Sequence, residues 1–368
     1  MLSICSPQLG LSPESNSGGE VYDREVITRL CQKDLKVYSL LPRGRSYSQH
    51  QNLKVNYALI RPMTPPHIYN LFVFSYLLKT YLTNRFDLLR VHNPYFIGPA
   101  AVTFKKLFPQ VPLVASYLHL EEGINYFIDK QLIKHFNHII TISQSTKTEI
   151  IDRFNYPKSK ISVTYPGVDK KFQPGSKPQD LINQYKLKNK TILLFLGGLK
   201  KRKNLTFLLK AFSQLKQPKA SLIIAGTGPL LAKLKLKANS LGISSQVQFP
   251  GFISEKDKLK YYQLADILLL PSLKEGFGMT ITEAAACSVP AIGADHFSIK
   301  EIIQSEKTGF LAQPENLNDW NQKLIQLIKS KPLRQKMGQA AQKHVRQKFS
   351  WQKNINTHLK IFNQLVKT

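Results

Sequence analysis

Two glutamates enclose a short glycine-rich stretch in the second half of the chain. Glu275 follows the strand-like residues ILLLPS, and Glu283 lies in a run with helical spacing that begins just after Gly276 and Gly278. Glycines let the backbone approach a ligand, and the first amides of a helix favour negative charge. The two carboxylates could therefore hold different parts of one polar ligand. The alternative is an ordinary strand-loop-helix connection with both carboxylates in solvent.

A basic turn follows an earlier strand-like segment, TILLFL. It starts at Gly197 and continues through Arg202 to Lys203. A lysine supplies a compact positive charge that suits a leaving diphosphate, whereas an arginine supplies a planar, two-pronged donor. Taken alone, such a run is more often a solvated basic loop, and only its place in the series of segments favours a phosphate-binding role.

Strand and helix patterns alternate along the chain in two consecutive series. Buried strand-like runs such as LKVYSLL and VPLVASYLH belong to the first series, and TILLFL and ASLIIAGTG belong to the second. This alternation predicts an α/β fold with parallel sheets covered on both faces. Because 368 residues exceed one ordinary core, we expect two domains.

The boundaries of these domains follow from composition and spacing. The stretch from Tyr165 to Pro178 carries three prolines and two glycines, which is typical of a linker. We therefore expect an N-terminal domain at 1–170 and a C-terminal domain at 171–349. Residues 350–368 have an apolar stripe at helical spacing and are expected to dock back on the first domain. Ser143 is expected to cap the helix that follows HIITIS.

In this order, the segments resemble the large retaining glycosyltransferase family called group one, and the resemblance covers nearly the whole chain. In that family the first glutamate of the motif lies beside the donor sugar, and the second binds the ribose hydroxyls. The resemblance implies these roles for Glu275 and Glu283. It also implies that Gly276, Phe277 and Gly278 line the donor site.

The basic turn resembles the phosphate-binding element of the family. Gly197 and Lys203 match, whereas Gly198 stands where the family has an arginine. The resemblance implies that Lys203 acts on the leaving diphosphate, and Arg202 or a neighbouring lysine is expected to replace the missing clamp.

Other segments carry further family positions. Gly18 and Gly19 resemble the glycine loop that closes over the diphosphate and part of the sugar. His119 stands where the family has a histidine near the donor sugar, and we count it with Glu275 and Lys203 as catalytic. His92 matches another frequent position, for which a structural role is an equal alternative.

The segment VQFPGFIS resembles the part of the family pattern that lies near the nucleobase. Gly251 and Phe252 are therefore expected to contact the donor. The sequence does not indicate which base is bound.

The resemblance also implies the architecture and the reaction. We expect a GT-B fold, in which two Rossmann-like domains present parallel sheets to a central cleft. The implied enzyme is a retaining glycosyltransferase of the hexosyltransferase type that moves a sugar from a nucleotide-diphosphate donor to a glycan, lipid-linked or other hydroxyl acceptor. Front-face attack assisted by the leaving phosphate is implied, so we assign no protein base. Cell-envelope or exopolysaccharide assembly is the expected setting.

The sequence suggests neither a metal nor another cofactor beyond the nucleotide-sugar co-substrate. No Asp-x-Asp pair occurs near the expected site, and the three cysteines have no metal-type spacing. The same cysteine count fits a reducing compartment and does not suggest a disulfide framework. We expect a cytoplasmic protein.

The formal net charge of +29 favours polyanionic partners. The apolar, aromatic stretch from His67 to Leu82 contains no acidic residue, and its alternative reading is an ordinary buried helix. On so basic a protein we expect this stretch to support salt-sensitive binding to anionic membranes, peripherally at the inner face.

Three alternatives stay open at this stage. A basic nucleic-acid-binding protein would explain the charge, but no zinc-finger or RNA-recognition signature occurs and the basic residues are spread over both domains. We therefore expect no specific nucleic-acid partner. A catalytically silent paralogue that binds a sugar nucleotide would explain Gly198. An epimerase on the same two-domain fold is disfavoured by the two-glutamate segment.

Overall fold

The computed structural model describes residues 1–7, 11, 18–59, 66–120 and 122–367, without the side chain of Pro66. The chain forms two compact units. Unit 1 comprises Met1–Pro166 together with Gln352–Thr368, and unit 2 comprises Gly167–Trp351.

Unit 1 is built on a seven-stranded sheet in which neighbouring strands pair in parallel. The strand order is β3-β2-β1-β4-β5-β6-β7. The strands are β1 Ser3–Cys5, β2 Lys36–Pro42, β3 Leu53–Ala58, β4 Leu88–His92, β5 Leu113–Tyr117, β6 His138–Thr141 and β7 Ile161–Val163.

The helices of unit 1 connect these strands or close the chain. They are α1 Gly18–Cys31, α2 Pro66–Asn84, α3 Pro94–Leu107, α4 Ile124–Leu132, α5 Gln144–Phe154 and α14 Trp351–Lys367, with short 3₁₀ turns at Ile133–His135 and Lys158–Lys160. The capping prediction is confirmed, because the Ser143 hydroxyl accepts a 3.1 Å hydrogen bond from the Thr146 amide at the start of α5.

Unit 2 has a six-stranded sheet of the same kind, with the order β10-β9-β8-β11-β12-β13. Its strands are β8 Thr191–Leu196, β9 Ala220–Ala225, β10 Val247–Gly251, β11 Ile267–Leu270, β12 Ala291–Ala294 and β13 Gly309–Ala312. Its helices are α6 Gln179–Gln184, α7 Leu205–Gln214, α8 Leu231–Ser240, α9 Lys258–Leu264, α10 Met279–Ala286, α11 Ile299–Ile302, α12 Leu317–Lys329 and α13 Lys331–Lys348, with 3₁₀ turns at Lys201–Lys203 and Ser244–Gln246.

Strands inside the two sheets are continuous apolar runs because helices cover both faces. All residues of β5, β9, β11 and β12 are buried. The predicted α/β class with parallel sheets is therefore confirmed. The strands that the sequence patterns missed are β3, β7 and β13, and each lies at the edge of its sheet.

Part of the predicted linker packs on unit 2. Phe172 is buried, and its ring meets that of Tyr262 edge-on at a centroid distance of 5.6 Å. The Val168 amide donates to the Phe349 carbonyl. The change of unit falls between Pro166 and Gly167, a few residues before the expected boundary.

The C-terminal helix α14 belongs to unit 1 from Gln352 onwards. Its buried Asn354 side chain donates to the carbonyl oxygens of Thr164, at 3.1 Å, and Tyr165, at 2.9 Å. Ile355 and Phe362 are also buried on this helix. The helix thus fastens the end of the chain to the first unit through both apolar and polar contacts.

Candidate active site

The strand order of unit 2 places two loops side by side. The strands β8 and β11 are neighbours. After β8 the chain continues to β9 and β10 on one side of the sheet, and after β11 it continues to β12 and β13 on the other side. Ligands of such sheets bind at this switch point, beyond the carboxyl ends of the strands. The loop after β8 carries the basic turn, and the loop after β11 carries Glu275, so the fold brings these two segments together.

Glu275 is held by two cations of the basic turn. The Lys203 ammonium pairs with Glu275 Oε1, and Arg202 Nη1 lies 3.1 Å from Oε2. Arg202 Nη1 also donates to the Lys274 carbonyl at 2.8 Å. The Glu275 and Lys203 side chains are largely buried, whereas Arg202 is more open to solvent. Three charged groups predicted to serve the donor therefore form one cluster.

The charges of this cluster set the ionisation of its members. Burial by itself would raise the pKa of Glu275, but the positive charges of Lys203 and Arg202 outweigh it and bring that pKa to about 2. Burial also lowers the pKa of Lys203, against the pull of the Glu275 carboxylate. Glu275 is consequently a carboxylate at neutral pH although little of it meets solvent.

The loop that carries Glu275 is fixed by residues that the sequence patterns did not single out. The Ser272 hydroxyl donates to Glu275 Oε1 at 3.1 Å. The Ser298 hydroxyl lies within hydrogen-bond distance of two carbonyl oxygens, Glu275 at 3.0 Å and Phe277 at 2.9 Å. The Leu273 amide donates to the Arg202 carbonyl at 2.7 Å, so the two loops are also joined through their backbones.

The basic turn approaches the loop after β9 through glycines. A Cβ at Gly226 would lie 1.9 Å from the Gly197 carbonyl oxygen, and one at Gly228 would lie 2.6 Å from the Leu199 carbonyl oxygen. Only glycine permits this approach. Gly198 differs, because a Cβ there would meet nothing closer than 4.0 Å. The backbone thus leaves space for a side chain at the position where the family has arginine.

Glu283 occupies a separate polar site on α10. The Tyr262 hydroxyl donates to Glu283 Oε2 at 2.6 Å, and Lys258 Nζ lies 3.9 Å from the same oxygen. Burial raises the pKa of Glu283, and the nearby Lys258 charge opposes the shift. Tyr262 and Lys258, both on α9, were missed by the sequence analysis because neither lies in a recognisable motif.

The start of α10 contains the predicted donor glycines. Gly276 lies in the loop before the helix, and Gly278 is the N-cap residue with φ of 107°, a conformation that favours glycine. No side chain of the described residues caps this end, so its first amides stay directed at the loop. The Phe277 side chain is buried, and its ring packs edge-on against that of Phe349. The Phe277 ring therefore belongs to the core of unit 2. Only the backbone of this residue can line the predicted donor site.

Gly251 ends the strand β10, and Phe252 follows it directly. Gly251 has φ of 81°, and its carbonyl accepts a hydrogen bond from the Gly226 amide at 2.7 Å. Phe252 is 48% exposed. An aromatic ring with this exposure beside the glycine loops can stack on a planar ligand group.

In unit 1 the predicted residues also lie near a switch point, between β1 and β4. Gly18 and Gly19 form the first turn of α1, which corrects the expectation of a loop there. Residues 12–17, just before them, lie outside the described ranges. His119 lies two residues beyond the end of β5 and is half-buried.

His92, at the end of β4, faces a buried ion pair. Arg90 Nη1 lies 2.7 Å from Asp23 Oδ1, and both side chains are fully buried. His92 Nδ1 lies 3.3 Å from the same carboxylate oxygen. Burial lowers the pKa of His92 to about 4, and the Asp23 carboxylate only partly opposes this shift. Arg90 and Asp23 had no sequence signal, because their partnership joins β4 to α1.

The described part of the chain contains no group of three His, Cys, Asp or Glu side chains placed to hold a metal ion. No helix in the described ranges combines the length and hydropathy that a membrane crossing demands. The three cysteines are buried and unpaired by disulfides.

Comparison with known proteins connects this geometry to a family. Residues 178–344 match the family model of the group 1 glycosyl transferases, and residues 16–172 match that of glycosyltransferase family 4. An uncharacterised glycosyltransferase of Methanocaldococcus jannaschii is 26% identical over 84% of each chain. The N-acetyl-alpha-D-glucosaminyl L-malate synthase of Bacillus anthracis is 24% identical over 82% of this chain and 81% of its own length.

Solved structures show the same fold. Sucrose-phosphate synthase from Thermosynechococcus elongatus superposes with a TM-score of 0.86 at 16% identity and covers 99% of both chains. Anabaena HepE, solved with UDP and glucose, gives a TM-score of 0.83 at 18% identity, with 99% of this chain and 100% of its own covered. The two parallel-sheet units therefore have the GT-B fold. The two family models, which together match most of the chain, show that it belongs to the group 1 glycosyltransferase family.

Proposed function

We propose that this enzyme transfers a sugar from a nucleotide-diphosphate donor to a hydroxyl acceptor with retention of anomeric configuration. The observation that carries the proposal is the cluster in which buried, ionised Glu275 is held between Lys203 and Arg202. Sugar transfer needs a site that stabilises negative charge on the departing diphosphate beside positive charge at the first carbon of the sugar. This cluster offers both signs of charge within one small volume.

The net charge of the cluster favours an anionic donor. Lys203 and Arg202 together carry one more positive charge than Glu275 balances, and Lys200 and Lys201 lie on the same turn. A diphosphate would share the ammonium of Lys203 and the guanidinium of Arg202, and the amides at the start of α10 would add to its stabilisation. The Glu275 carboxylate would then lie on the side of the developing positive charge.

The remaining groups of unit 2 suit the nucleoside. Glu283, held by Tyr262, would accept hydrogen bonds from ribose hydroxyls, and exposed Phe252 would stack on the base. Structures of HepE contain UDP with glucose, or UDP-glucose. Those ligands support a nucleotide-sugar donor for this fold and make the uridine nucleotides the first to test.

The proposed transfer uses no protein base and no metal. The leaving phosphate takes the proton of the acceptor hydroxyl as the new bond forms on the face from which it departs, and His119 contacts a sugar hydroxyl. The acceptor is a glycan or a lipid-linked hydroxyl, in assembly of the cell envelope or an exopolysaccharide. Three buried thiols fit a reducing, cytoplasmic setting.

A nucleotide-sugar panel tests the proposal. The purified protein is incubated with each nucleotide-sugar, with water or candidate hydroxyl acceptors, and release of the nucleoside diphosphate is measured. We expect one donor to be turned over and the product to keep the anomeric configuration of the donor, as read by NMR coupling constants. Inversion would overturn the retaining mechanism. A donor that stabilises the protein thermally without turnover by any acceptor would favour the silent paralogue.

A further inference from the structure

The turn after β12 lies against the loop that carries Glu275. The strands β11 and β12 pair in parallel, so their carboxyl ends lie side by side. His296 Nε2 donates to the Ser272 carbonyl at 2.9 Å, and the Ser298 hydroxyl lies 3.0 Å from the Glu275 carbonyl oxygen. These two contacts come from the residues on either side of Phe297. They hold Phe297 beside the charge cluster of the candidate donor site.

The backbone of Phe297 adopts a conformation that favours glycine. Its φ is 47°, in the left-handed region where a bulky side chain is strained. Among the residues that the structure describes, every other non-glycine residue with positive φ has a polar side chain. Strain of this kind is concentrated at active sites and ligand clamps. The ring of Phe297 is therefore a candidate for a ligand contact.

The Phe297 ring is open to solvent rather than packed in the core. It is 36% exposed, and the only other phenylalanine, tyrosine or tryptophan exposed in the described part of unit 2 is Phe252. Both phenylalanines follow the carboxyl ends of strands, β10 and β12, at the edge where such sheets bind ligands. The His296 ring lies beside that of Phe297, with a centroid distance of 4.6 Å. Because His296 is bonded to Ser272, its ring supports Phe297 in place.

The strand order of unit 2 sets the loops in a row along this edge. It runs β10-β9-β8-β11-β12-β13, so the segments after β10, β8, β11 and β12 carry, in turn, Phe252, Lys203, Glu275 and Phe297. A nucleotide-sugar has its base, its diphosphate and its sugar in the same linear order. In the proposed function Phe252 serves the base and Lys203 the diphosphate, and Glu275 lies beside the first carbon of the sugar. Phe297, on the next loop of the row, would then lie beside the sugar ring.

A hexopyranose has two kinds of surface that these side chains can recognise. Its hydroxyl groups need polar partners, which the Glu275 carboxylate offers. The C–H groups on a face of the ring form an apolar surface, which packs against an exposed aromatic ring and removes both from water. A Phe297 ring next to Glu275 thus supplies the apolar part of a sugar subsite. The diphosphate, in contrast, gains nothing from an apolar ring.

We propose that Phe297 is a specificity-determining residue of the donor site and that its ring packs against the apolar face of the transferred hexopyranose. This inference rests on the proposed function, because it assigns a subsite to the sugar of the donor. Phe297 takes no part in bond-making, since a phenyl ring neither donates nor accepts a proton. Its contact recognises the sugar rather than the nucleotide.

The test compares nucleotide-sugars with the corresponding nucleoside diphosphates. Binding of UDP-glucose, UDP-galactose, UDP-N-acetylglucosamine and GDP-mannose, and of UDP and GDP alone, is measured by isothermal titration calorimetry. Phe297→Gly removes the ring and suits the φ of 47°, so its thermal unfolding midpoint should change little. Phe297→Tyr retains the ring. Leu236→Ala is the matched control, because this leucine is 71% exposed on α8, outside the loops described above.

For the nucleotide-sugar that wild type turns over, we expect Phe297→Gly to raise both Kd and KM by on the order of tenfold, because one aromatic contact is lost. The Kd of the matching nucleoside diphosphate should stay within about twofold of the wild-type value. The preference of wild type among the donors should narrow in the same variant. Phe297→Tyr should retain most of the affinity for the nucleotide-sugar, and Leu236→Ala should bind both ligands as wild type does.

Three results would overturn the proposal. One is equal weakening of the nucleotide-sugar and the nucleoside diphosphate in Phe297→Gly, and another is unchanged binding of both. The third is a large fall in the thermal unfolding midpoint of Phe297→Gly, because the ring would then support the fold rather than the ligand.

Turnover separates this inference from the proposed function. If wild type turns over no nucleotide-sugar of the panel, the proposed function fails and the inference falls with it. If wild type turns over a donor, but Phe297→Gly keeps the same KM and the same preference among the sugars, the proposed function stands and the inference alone fails. A raised KM in Phe297→Gly, absent from Leu236→Ala, supports both.

Discussion

Lys203 Nζ pairs directly with Glu275 Oε1, although 72 positions separate the two residues in the sequence. The pairing is possible because β8 and β11 are adjacent in the sheet of unit 2. It leaves the ammonium charge close to the place proposed for the diphosphate, yet balanced while no donor is present. Donor binding would let the diphosphate share Lys203 with Glu275, so neither buried charge would be left unpaired.

Removing either member of this pair is expected to be severe for catalysis. For Lys203→Ala and Glu275→Gln we expect kcat to fall on the order of a hundredfold, because a charge acting on the transition state in a water-poor site contributes on the order of 3 kcal/mol. Lys210→Ala is the matched control, because Lys210 is exposed on α7, outside the basic turn. Steady-state kinetics with saturating donor measures the effect.

The control should stay within about threefold of wild type, a change below roughly 1 kcal/mol. If Lys203→Ala and Glu275→Gln also stay within that range, the assignment of these residues to the reacting groups is wrong. Thermal unfolding of each variant separates a lost charge from a lost fold.

Glu283→Gln is expected to act on donor binding rather than on turnover. Ribose contacts are alike in the ground state and the transition state, so the KM for the donor should rise while kcat changes little. Tyr262→Phe, which removes the 2.6 Å hydrogen bond to Glu283, should shift KM in the same direction by a smaller factor. A dominant loss of kcat in Glu283→Gln would place this carboxylate at the reacting centre instead.

Gly198→Arg should improve donor binding. A side chain fits there, because the nearest atoms to a Cβ at this position would lie 4.0 Å away, and an arginine would restore the planar clamp of the family. We expect a lower donor KM, or a higher kcat if the added charge acts mainly on the leaving group. Gly198→Ala tests the backbone change alone and should be close to wild type. A loss of activity in Gly198→Arg but not in Gly198→Ala would show that Arg202 already occupies the clamp position.

The stability of unit 1 should fall in mild acid because of buried histidines. Burial lowers the pKa of His358 from 6.5 to about 3, so the folded state keeps it neutral while the unfolded state takes up a proton below 6.5. The stabilisation present above 6.5 is then lost as the pH falls towards 3, with a slope of up to about 1.4 kcal/mol per pH unit. His358→Gln should weaken the dependence of the thermal unfolding midpoint on pH. His67→Gln, at an exposed site, is the control and should show the same dependence of the midpoint on pH as wild type.

Turnover should survive removal of divalent metal. The proposed diphosphate site relies on Lys203, Arg202 and the amides of α10. Addition of EDTA to the purified enzyme should therefore leave the rate of donor hydrolysis unchanged within error. If EDTA abolishes turnover and magnesium or manganese restores it, the diphosphate is held through a metal and the charge cluster has another role.

All but three strands of the two sheets, and the residues of the charge cluster, could be predicted from the sequence. Buried strands form continuous apolar runs, and the two-glutamate motif runs from one such strand into a helix, so Glu275, Glu283 and Lys203 could be named as candidates without coordinates. The edge strands β3, β7 and β13 were missed. In β3, exposed Lys54, Asn56 and Tyr57 lie between buried ends and break the apolar run, whereas β7 and β13 are only three and four residues long.

The supporting residues could not be predicted for a different reason. Ser298 fixes the carbonyls of Glu275 and Phe277 from more than twenty positions away, and Asp23 meets Arg90 from another element. Such contacts depend on how helices pack on the sheet. They join residues far apart in the chain, so no local sequence pattern indicates them. Phe277 shows the opposite case, since its place inside a motif suggested a ligand contact while its ring fills the core.

The return of α14 to unit 1 has a consequence for biosynthesis. When the ribosome has released the first 166 residues, the partners of Asn354 at Thr164 and Tyr165 still await residues 352–367, and all of unit 2 must be translated in between. At about 5–20 residues per second that interval is roughly 10–40 s. During it the nascent unit 1 exposes the surface that the last helix will cover. Unit 2, although translated second, is the first of the two that can be completed.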